Sequence, residues 1–158
     1  MGNATALDHT EDEAWRAFIS AHGQITRSLD QQLSEAHQMT LAEYEVLLHL
    51  SEAEDRQLRM NELADLCGLS PSGLTRRFDS MVRSGLVERE KCDDDRRGVF
   101  AVLTDHGQAR LEEAMPTHLA GVRRVFVDPL DRSELETIAA AFDRVAPRPR
   151  SARTTVSS

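Results

Sequence analysis

Apolar residues recur every three or four positions along most of this chain, and polar or glycine-bearing breaks divide the repeat into separate helices. Between Glu11 and Ala36 the positions Trp15, Phe18, Ile19, Ile25, Leu29 and Leu33 describe one face of a long amphipathic helix. Thr40 and Glu43 stand three apart, as a capping box requires, and open a second helix carrying Leu41, Tyr44, Leu47 and Leu48. The stretch RMNELADLC sets Leu63, Ala64 and Leu66 on a short helix ending at Gly68, which supplies the tight turn a helix pair needs. Ser70 is then a good N-cap, and Pro71 sits at the first helical position, where its missing N–H costs nothing. Within SPSGLTRRFDSMVRSG, Leu74, Phe78, Met81 and Val82 make a packing face, while Ser72, Thr75, Arg76, Asp79 and Arg83 fall elsewhere and Gly85 closes the helix.

Beyond Gly85 the helical period stops. LVEREK sets apolar Leu86 and Val87 against charge, CDDDRRG has no apolar period and ends in glycine, and VFAVL is a short β-branched and aromatic run. This predicts a two-stranded hairpin with a polar tip. Thr104 can cap another long helix through Leu111, Met115, Leu119, Val122 and Phe126, with a kink at Pro116. Asp131 with Glu134 caps the last helix, which carries Leu135, Ile138, Phe142 and Val145 and ends at Pro147. The predicted fold is therefore mainly α with a small β-hairpin wing (α+β). A winged helix-turn-helix over about 40–103 is flanked by helices over about 11–37 and 104–146. Residues 10–146 form one domain, and the polar tail 1–9 and the basic tail 147–158 are predicted to be disordered.

Each part of the reader has a bland explanation, since helix pairs with glycine turns are common and charged hairpin tips are usually just solvated. Their ordered combination is far more specific and points to duplex DNA. Recognition helices touch base edges and flanking phosphates mainly with their N-terminal residues, and here that half carries Ser72, Thr75, Arg76 and Arg77. Arg96 and Arg97 at the hairpin tip are placed to reach a phosphate or a narrow minor groove. The two long terminal helices offer more apolar surface than the reader can cover, which predicts a two-fold dimer with two reading helices about one DNA turn apart and a palindromic site. The alternative is a monomer whose terminal helices fold back.

A net charge of −8 argues against a nucleic-acid partner until it is divided along the chain. Residues 1–55 hold eleven acidic side chains against only Arg16 and Arg27, whereas the remainder holds seventeen basic and sixteen acidic. The acid lies outside the reading module. At 158 residues the chain needs neither metal nor disulfide to fold, and Cys67 and Cys92 make no framework. Without a signal peptide, long apolar run or lipidation motif, no membrane association is predicted and the cytoplasm is the expected compartment.

The ordered segments LADLCGLSPSGLTRRFDSMVRSGLVERE, DDDRRG and VFAVLTDHG make the chain similar to the MarR family of bacterial transcription regulators, over about residues 11–146. The resemblance implies an obligate homodimer that represses, or occasionally activates, nearby genes and often loses DNA affinity on binding a small aromatic or phenolic effector. By matching positions it implies groove and backbone contacts from Ser70, Ser72, Thr75, Arg76 and Arg77, a minor-groove contact from Arg97, and an orienting role for Asp95. The wing departs from the family's commonest pattern in Cys92 and in the acids Asp93, Asp94 and Asp95, which predict weaker non-specific binding. Family effector pockets lie between the dimer helices and the reader. The resemblance thus nominates Trp15, Arg16, His22, Tyr44 and Arg110, an arginine holding a carboxylate while Trp15 stacks on a ring. The competing assignment makes Trp15 dimer core and Arg16 a surface charge.

Other readings are weaker. A redox switch at Cys92 would have Lys91, Arg96 and Arg97 lowering the thiol pKa and Asp93 to Asp95 raising it, while Cys67 is predicted to be buried and inert. The six histidines form no cluster at ligand spacing, and Glu35 and His37 diverge on a helix, so no metal or other cofactor is predicted. There is no nucleophile elbow or phosphate loop, and Cys92 and His106 have no orienting third group, so no enzymatic role is predicted. The rival from another class is a winged-helix protein-interaction module.

Overall fold

A reciprocal cap, not the first apolar residue, starts the chain's longest helix. In the computed structural model, which describes residues 6–91 and 98–146, α1 spans His9–His37. Asp8 Oδ1 accepts from the Glu11 amide at 2.9 Å, and Glu11 Oε2 accepts from the Asp8 amide at 2.8 Å. Satisfying these end donors sets the helix start at His9, two residues before the expected start at Glu11. Cys92, Asp93, Asp94, Asp95, Arg96 and Arg97, the first five residues and the tail 147–158 lie outside the described residues.

After a left-handed Gln38, Thr40 and Glu43 form the expected box and open α2, Leu41–Glu52. Next comes an element that periodicity did not predict: strand β1, Gln57–Arg59. Three residues are too few to show an alternation, and only pairing defines them. The short helix α3, Met60–Leu66, turns at Gly68 (φ 61°) into α4, Pro71–Arg83. Strands β2, Val87–Lys91, and β3, Val99–Leu103, follow. The expected antiparallel pair of β2 and β3 is present, and β1 adds a third strand along the other edge of β3, giving the order β1-β3-β2 with Leu58 opposite Ala101 on one edge and Arg89 opposite Ala101 on the other.

Helix α5, Asp105–Val122, runs through Pro116 without ending there. The neighbouring turn is tied to α1, for Gln32 Nε2 donates to the Thr117 carbonyl at 3.1 Å and His37 Nε2 lies 2.8 Å from Thr117 Oγ1. The helical irregularity falls later, in a π-helical turn at Arg123–Val127. Asp131 and Glu134 then cap α6, Arg132–Val145, as expected.

Leu74, Phe78 and Met81 of α4 are 1% exposed or less and join one core with Leu33 of α1, Leu47 and Leu50 of α2, Val87 of β2 and Leu111 of α5. Val82 is only half-buried. The N-terminal half of α1 lies outside this core: Trp15 is 55% exposed, and Phe18 and Ile19 are exposed beside it. Helix α6 buries no residue, although its Phe142 meets Phe18 edge-on at 5.4 Å.

The reader is joined to α5 through one threonine. Thr104 Oγ1 reaches the carbonyls of Gly85 and Leu86 at 2.7 and 3.0 Å and accepts from the Gly107 amide at 2.9 Å. The backbone approaches so closely here that a Cβ on Gly107 would stand 2.1 Å from the Leu86 carbonyl oxygen. A Cβ on Gly68 would meet nothing and would be strained only by its positive φ. Gly107→Ala is therefore expected to cost more than Gly68→Ala in denaturant unfolding, about 2–3 kcal/mol against about 1 kcal/mol. Equal losses would remove the close-packed junction as the reason for a glycine at 107.

Candidate nucleic-acid interface

Once the apolar stripe of α4 is buried, the 3.6-residue period turns Ser72, Thr75 and Arg76 outward, and all three are exposed. Ser70 precedes them as the N-cap, its Oγ accepting from the Gly73 amide at 3.1 Å and lying 3.3 Å from Ser72 Oγ. The Thr75 hydroxyl donates to the Pro71 carbonyl at 2.8 Å, leaving its oxygen lone pairs toward solvent. Arg77 differs from its neighbour Arg76. It is half-buried, its Nη1 is 3.5 Å from Thr40 Oγ1, and its Nε is buried without a hydrogen-bond partner. Its charge acts on Glu45, whose pKa burial raises while Arg77 and His22 pull it down. Of the five expected contacts, Ser70 at the cap and Ser72, Thr75 and Arg76 within α4 are exposed, and Arg77 ties α4 to α2.

Two clefts flank α4. One, of about 450 Å³, is lined by Glu43, Gly73, Arg76, Arg77 and Ser80. The other, of about 460 Å³, opens between α3, α4 and the sheet and is lined by Arg59, Met60, Asn61, Thr75, Arg89, Gly98 and Val99. Sequence reasoning missed the cross-link beside it. Arg89 Nη2 lies 2.6 Å from Asp79 Oδ1, and its guanidinium sits 5.1 Å from the Phe78 ring centroid, so β2 is clasped to α4. The signal was an acid on the polar side of one element and a base on the next, which cannot be paired without the register. Asp95, Arg96 and Arg97, the expected wing contacts, lie outside the described residues.

This arrangement has counterparts. The sequence model of the MarR family matches residues 37–98. The structure of AbsC, a MarR family transcriptional regulator from Streptomyces coelicolor, is 37% identical, superposes with a TM-score of 0.83 and aligns with 90% of this chain and 96% of that one. The chain belongs to the MarR family. A second member of the family, Sco3205 from Streptomyces coelicolor, was solved in complex with DNA and is 32% identical over 97% of both chains, with a TM-score of 0.86. Among curated relatives, the transcriptional repressor YetL of Bacillus subtilis is 27% identical over 106 residues, which are 65% of this chain. That match spans 64% of YetL, just under two thirds of its length.

The five residues that the MarR resemblance nominates for an effector do not gather within one chain. Trp15 and Arg16 stand on the exposed end of α1, Arg16 paired with Asp12 at 2.6 Å, and His22 is exposed beside Phe18. Tyr44 is buried and stacked on His118, with ring centroids 4.3 Å apart. Arg110 bonds the His37 carbonyl at the opposite end of α1 and pairs with Glu113 at 2.8 Å. At 1.5 Å per residue, Trp15 and His37 are roughly 30 Å apart along that helix. The structure thus brings Tyr44 and Arg110 into the α1–α2–α5 packing and leaves Trp15 and Arg16 outside it.

Cys67 is half-buried, and its thiol pKa is pushed up to about 11, by burial first and then by Glu45, against an opposing pull from Arg77. At neutral pH it is a protonated, poorly nucleophilic thiol. Cys92 lies outside the described residues. Among the described residues no group of three or more His, Cys, Asp and Glu side chains is placed to hold a metal, and no helix is long and apolar enough to cross a membrane.

Burial against Tyr44 also acts on His118, holding its pKa below the ordinary 6.5 and leaving Nδ1 without a partner. His49 is lowered by burial too, with Glu52 opposing. A depressed histidine takes its proton first in the unfolded chain, so stability falls as pH drops below about 6.5. His118→Phe, which keeps the stack, is expected to flatten part of that decline when unfolding midpoints are compared between neutral and mildly acidic pH. An unchanged slope would assign the decline to other groups.

Proposed function

We propose that this protein is a sequence-specific regulator of transcription that binds double-stranded DNA as a homodimer at a palindromic operator and acts without catalysing a reaction. The observation that carries the reading is the orientation of α4: Leu74, Phe78 and Met81 are in the core, so Ser72, Thr75 and Arg76 face outward beside Ser70. Sco3205, similar over nearly the whole chain, was crystallised with DNA, which supports DNA as the ligand here. In this reading Arg76 and Thr75 touch base edges, Ser70 and Ser72 touch backbone, Arg77 sets the angle of α4 from within, and Arg96 and Arg97, with Asp95, serve the wing. A DNA ligand puts its work in the cytoplasm.

The dimer is proposed from surface left over. Trp15, Phe18 and Ile19 of α1 and Phe142 and Val145 of α6 are exposed, and α6 also carries Leu135 and Ile138. A second copy placing its own α1 and α6 against these faces would bury both sets by symmetry. The reader over about 40–103 and the flanking helices then divide reading from pairing. Repression is the proposed direction of control, as the name of YetL states for that relative, and release by a small aromatic or phenolic effector follows from the family resemblance.

The test is selection of bound fragments from random duplex DNA, with solution mass measured in parallel. Two inverted half-sites and a dimeric mass are expected, and absence of enrichment at low salt would favour a protein-docking module instead. Arg76→Ala or Thr75→Ala should change the selected sequence, whereas Arg97→Ala should weaken all sequences and lower the salt dependence. Phe142→Glu should give a monomer of unchanged helix content, and a dimeric variant would remove α6 from the interface. Trp15→Ala tests the pocket: lost effector response in a DNA-binding dimer supports it, and a monomeric or unfolded variant makes Trp15 part of the dimer core.

A further inference from the structure

The reader and the helix that follows it meet where two aromatic rings lie face to face. Tyr44 of α2 belongs to the reader, His118 belongs to α5, and their ring centroids are 4.3 Å apart with the planes 29° from parallel. Tyr44 is buried, and His118 Nδ1 is buried without a hydrogen-bond partner. A neutral imidazole tolerates this, because one of its nitrogens is then an uncharged acceptor. Once protonated, both nitrogens are donors, and Nδ1 would hold a charged N–H in the joint with nothing to accept it. We propose that the Tyr44–His118 stack is a pH-sensitive joint: charging His118 in a mildly acidic medium breaks the stack, turns the reader against α5 and releases DNA.

The surroundings leave the joint few other ways to respond. Thr117, the residue before His118, is tied to α1 twice: its carbonyl accepts from Gln32 Nε2 at 3.1 Å and its Oγ1 lies 2.8 Å from His37 Nε2. The α5 backbone is fixed at this point, so relief has to come from the ring or from α2. Burial holds the His118 pKa below the ordinary 6.5, and no carboxylate offsets it. Tyr44, the titratable group against the ring from α2, stays neutral, since burial and then Glu52 raise its pKa. From α1, His37 faces Thr117, and on α5 Arg110 is committed to the His37 carbonyl and to Glu113. Attraction of an imidazolium to the Tyr44 face works the other way, but the shift is downward, so burial wins. Movement of α2 reaches α4 because Leu47 and Leu50 share a core with Leu74 and Phe78, and Arg77 Nη1 meets Thr40 Oγ1 at the start of α2. In the proposed dimer a small turn at each joint changes the spacing of the two α4 helices, on which binding to a palindromic site depends.

The inference rests on the DNA-binding reading, and its test separates the two. Affinity for the selected duplex is measured at one salt concentration between about pH 7.5 and about pH 5.5, with helix content recorded at each step. Protonating histidines in general adds positive charge and strengthens binding to DNA, so a several-fold fall on acidification is the diagnostic sign. His118→Phe, which keeps the stack and cannot be charged, is expected to bind as the wild type does at neutral pH and to lose the fall. His118→Gln, which has no ring to stack, should bind weakly at every pH. A check that needs no variant is the titration of His118 in the wild-type protein, followed by its ring-proton NMR signal: a midpoint below about 6.5 that coincides with the fall is expected, and a midpoint elsewhere removes the proposal. Equal pH profiles in wild type and His118→Phe, an affinity that rises on acidification, or a fall that tracks loss of helix would overturn the joint while leaving the DNA-binding reading intact. Failure of the wild-type protein to bind the duplex at any pH would overturn both.

Discussion

Everything outward-facing in the reader depends on the burial of Leu74, Phe78 and Met81. These three side chains are 1% exposed or less and lie in one core with Val46, Leu47 and Leu50 of α2. Each such burial contributes about 1.5–3 kcal/mol. Rotating α4 to expose the stripe would cost most of the roughly 5–15 kcal/mol that separates a folded domain from its unfolded chain. The helix therefore has one available rotation, and Ser72, Thr75 and Arg76 are outside because the other side is not free. The exposure of these three polar side chains is a by-product of packing that would be needed in any case.

Polar links around α4 are weaker in energy and matter through geometry. The Asp79–Arg89 pair is partly exposed, and pairs of that kind contribute about 0–1 kcal/mol to stability. Its consequence is positional, because it fixes β2 to the same helix whose exposed side carries Arg76. At the other end of α4, Thr104 reaches the carbonyls of Gly85 and Leu86 while capping α5, and Gly107 lets that helix approach the Leu86 carbonyl. The reader's last turn and the long helix α5 therefore share one rigid corner. Arg77 makes a third link, from α4 to Thr40 at the start of α2.

Charge and apolar surface are both distributed by segment. The acidic excess belongs to the first 55 residues, whereas the chain from Arg56 onward is nearly balanced and supplies every arginine near α4. The apolar surplus lies at the far end of α1 and along α6, away from the reading face. On the proposed reading the protein presents two surfaces of different chemistry, one cationic and one apolar, separated by the shared core. An exposed aromatic group such as Trp15 with Phe18, 6.0 Å apart between ring centroids, is costly in water, and in the proposed dimer a second copy would cover it.

Features set by residues within about four positions of one another were legible in the sequence. The boxes at Thr40 and Asp131, the Ser70–Pro71 start, the Gly68 and Gly85 stops and the buried stripe of α4 all stand where local rules put them. The earlier start at Asp8 obeyed the same rule, since its partner Glu11 is three residues on. Strand β1 was not legible, because three residues carry no period and its partners in β3 lie more than forty positions away. The inward turn of Arg77, the pairing of Asp79 with Arg89 and the wide separation of Trp15 from Arg110 were equally hidden. Caps and periodicity are short-range consequences of backbone hydrogen bonding, and the sequence alone determines them. Which strand pairs with which, and which of two adjacent arginines meets solvent, depends on distances that exist only after the core has closed.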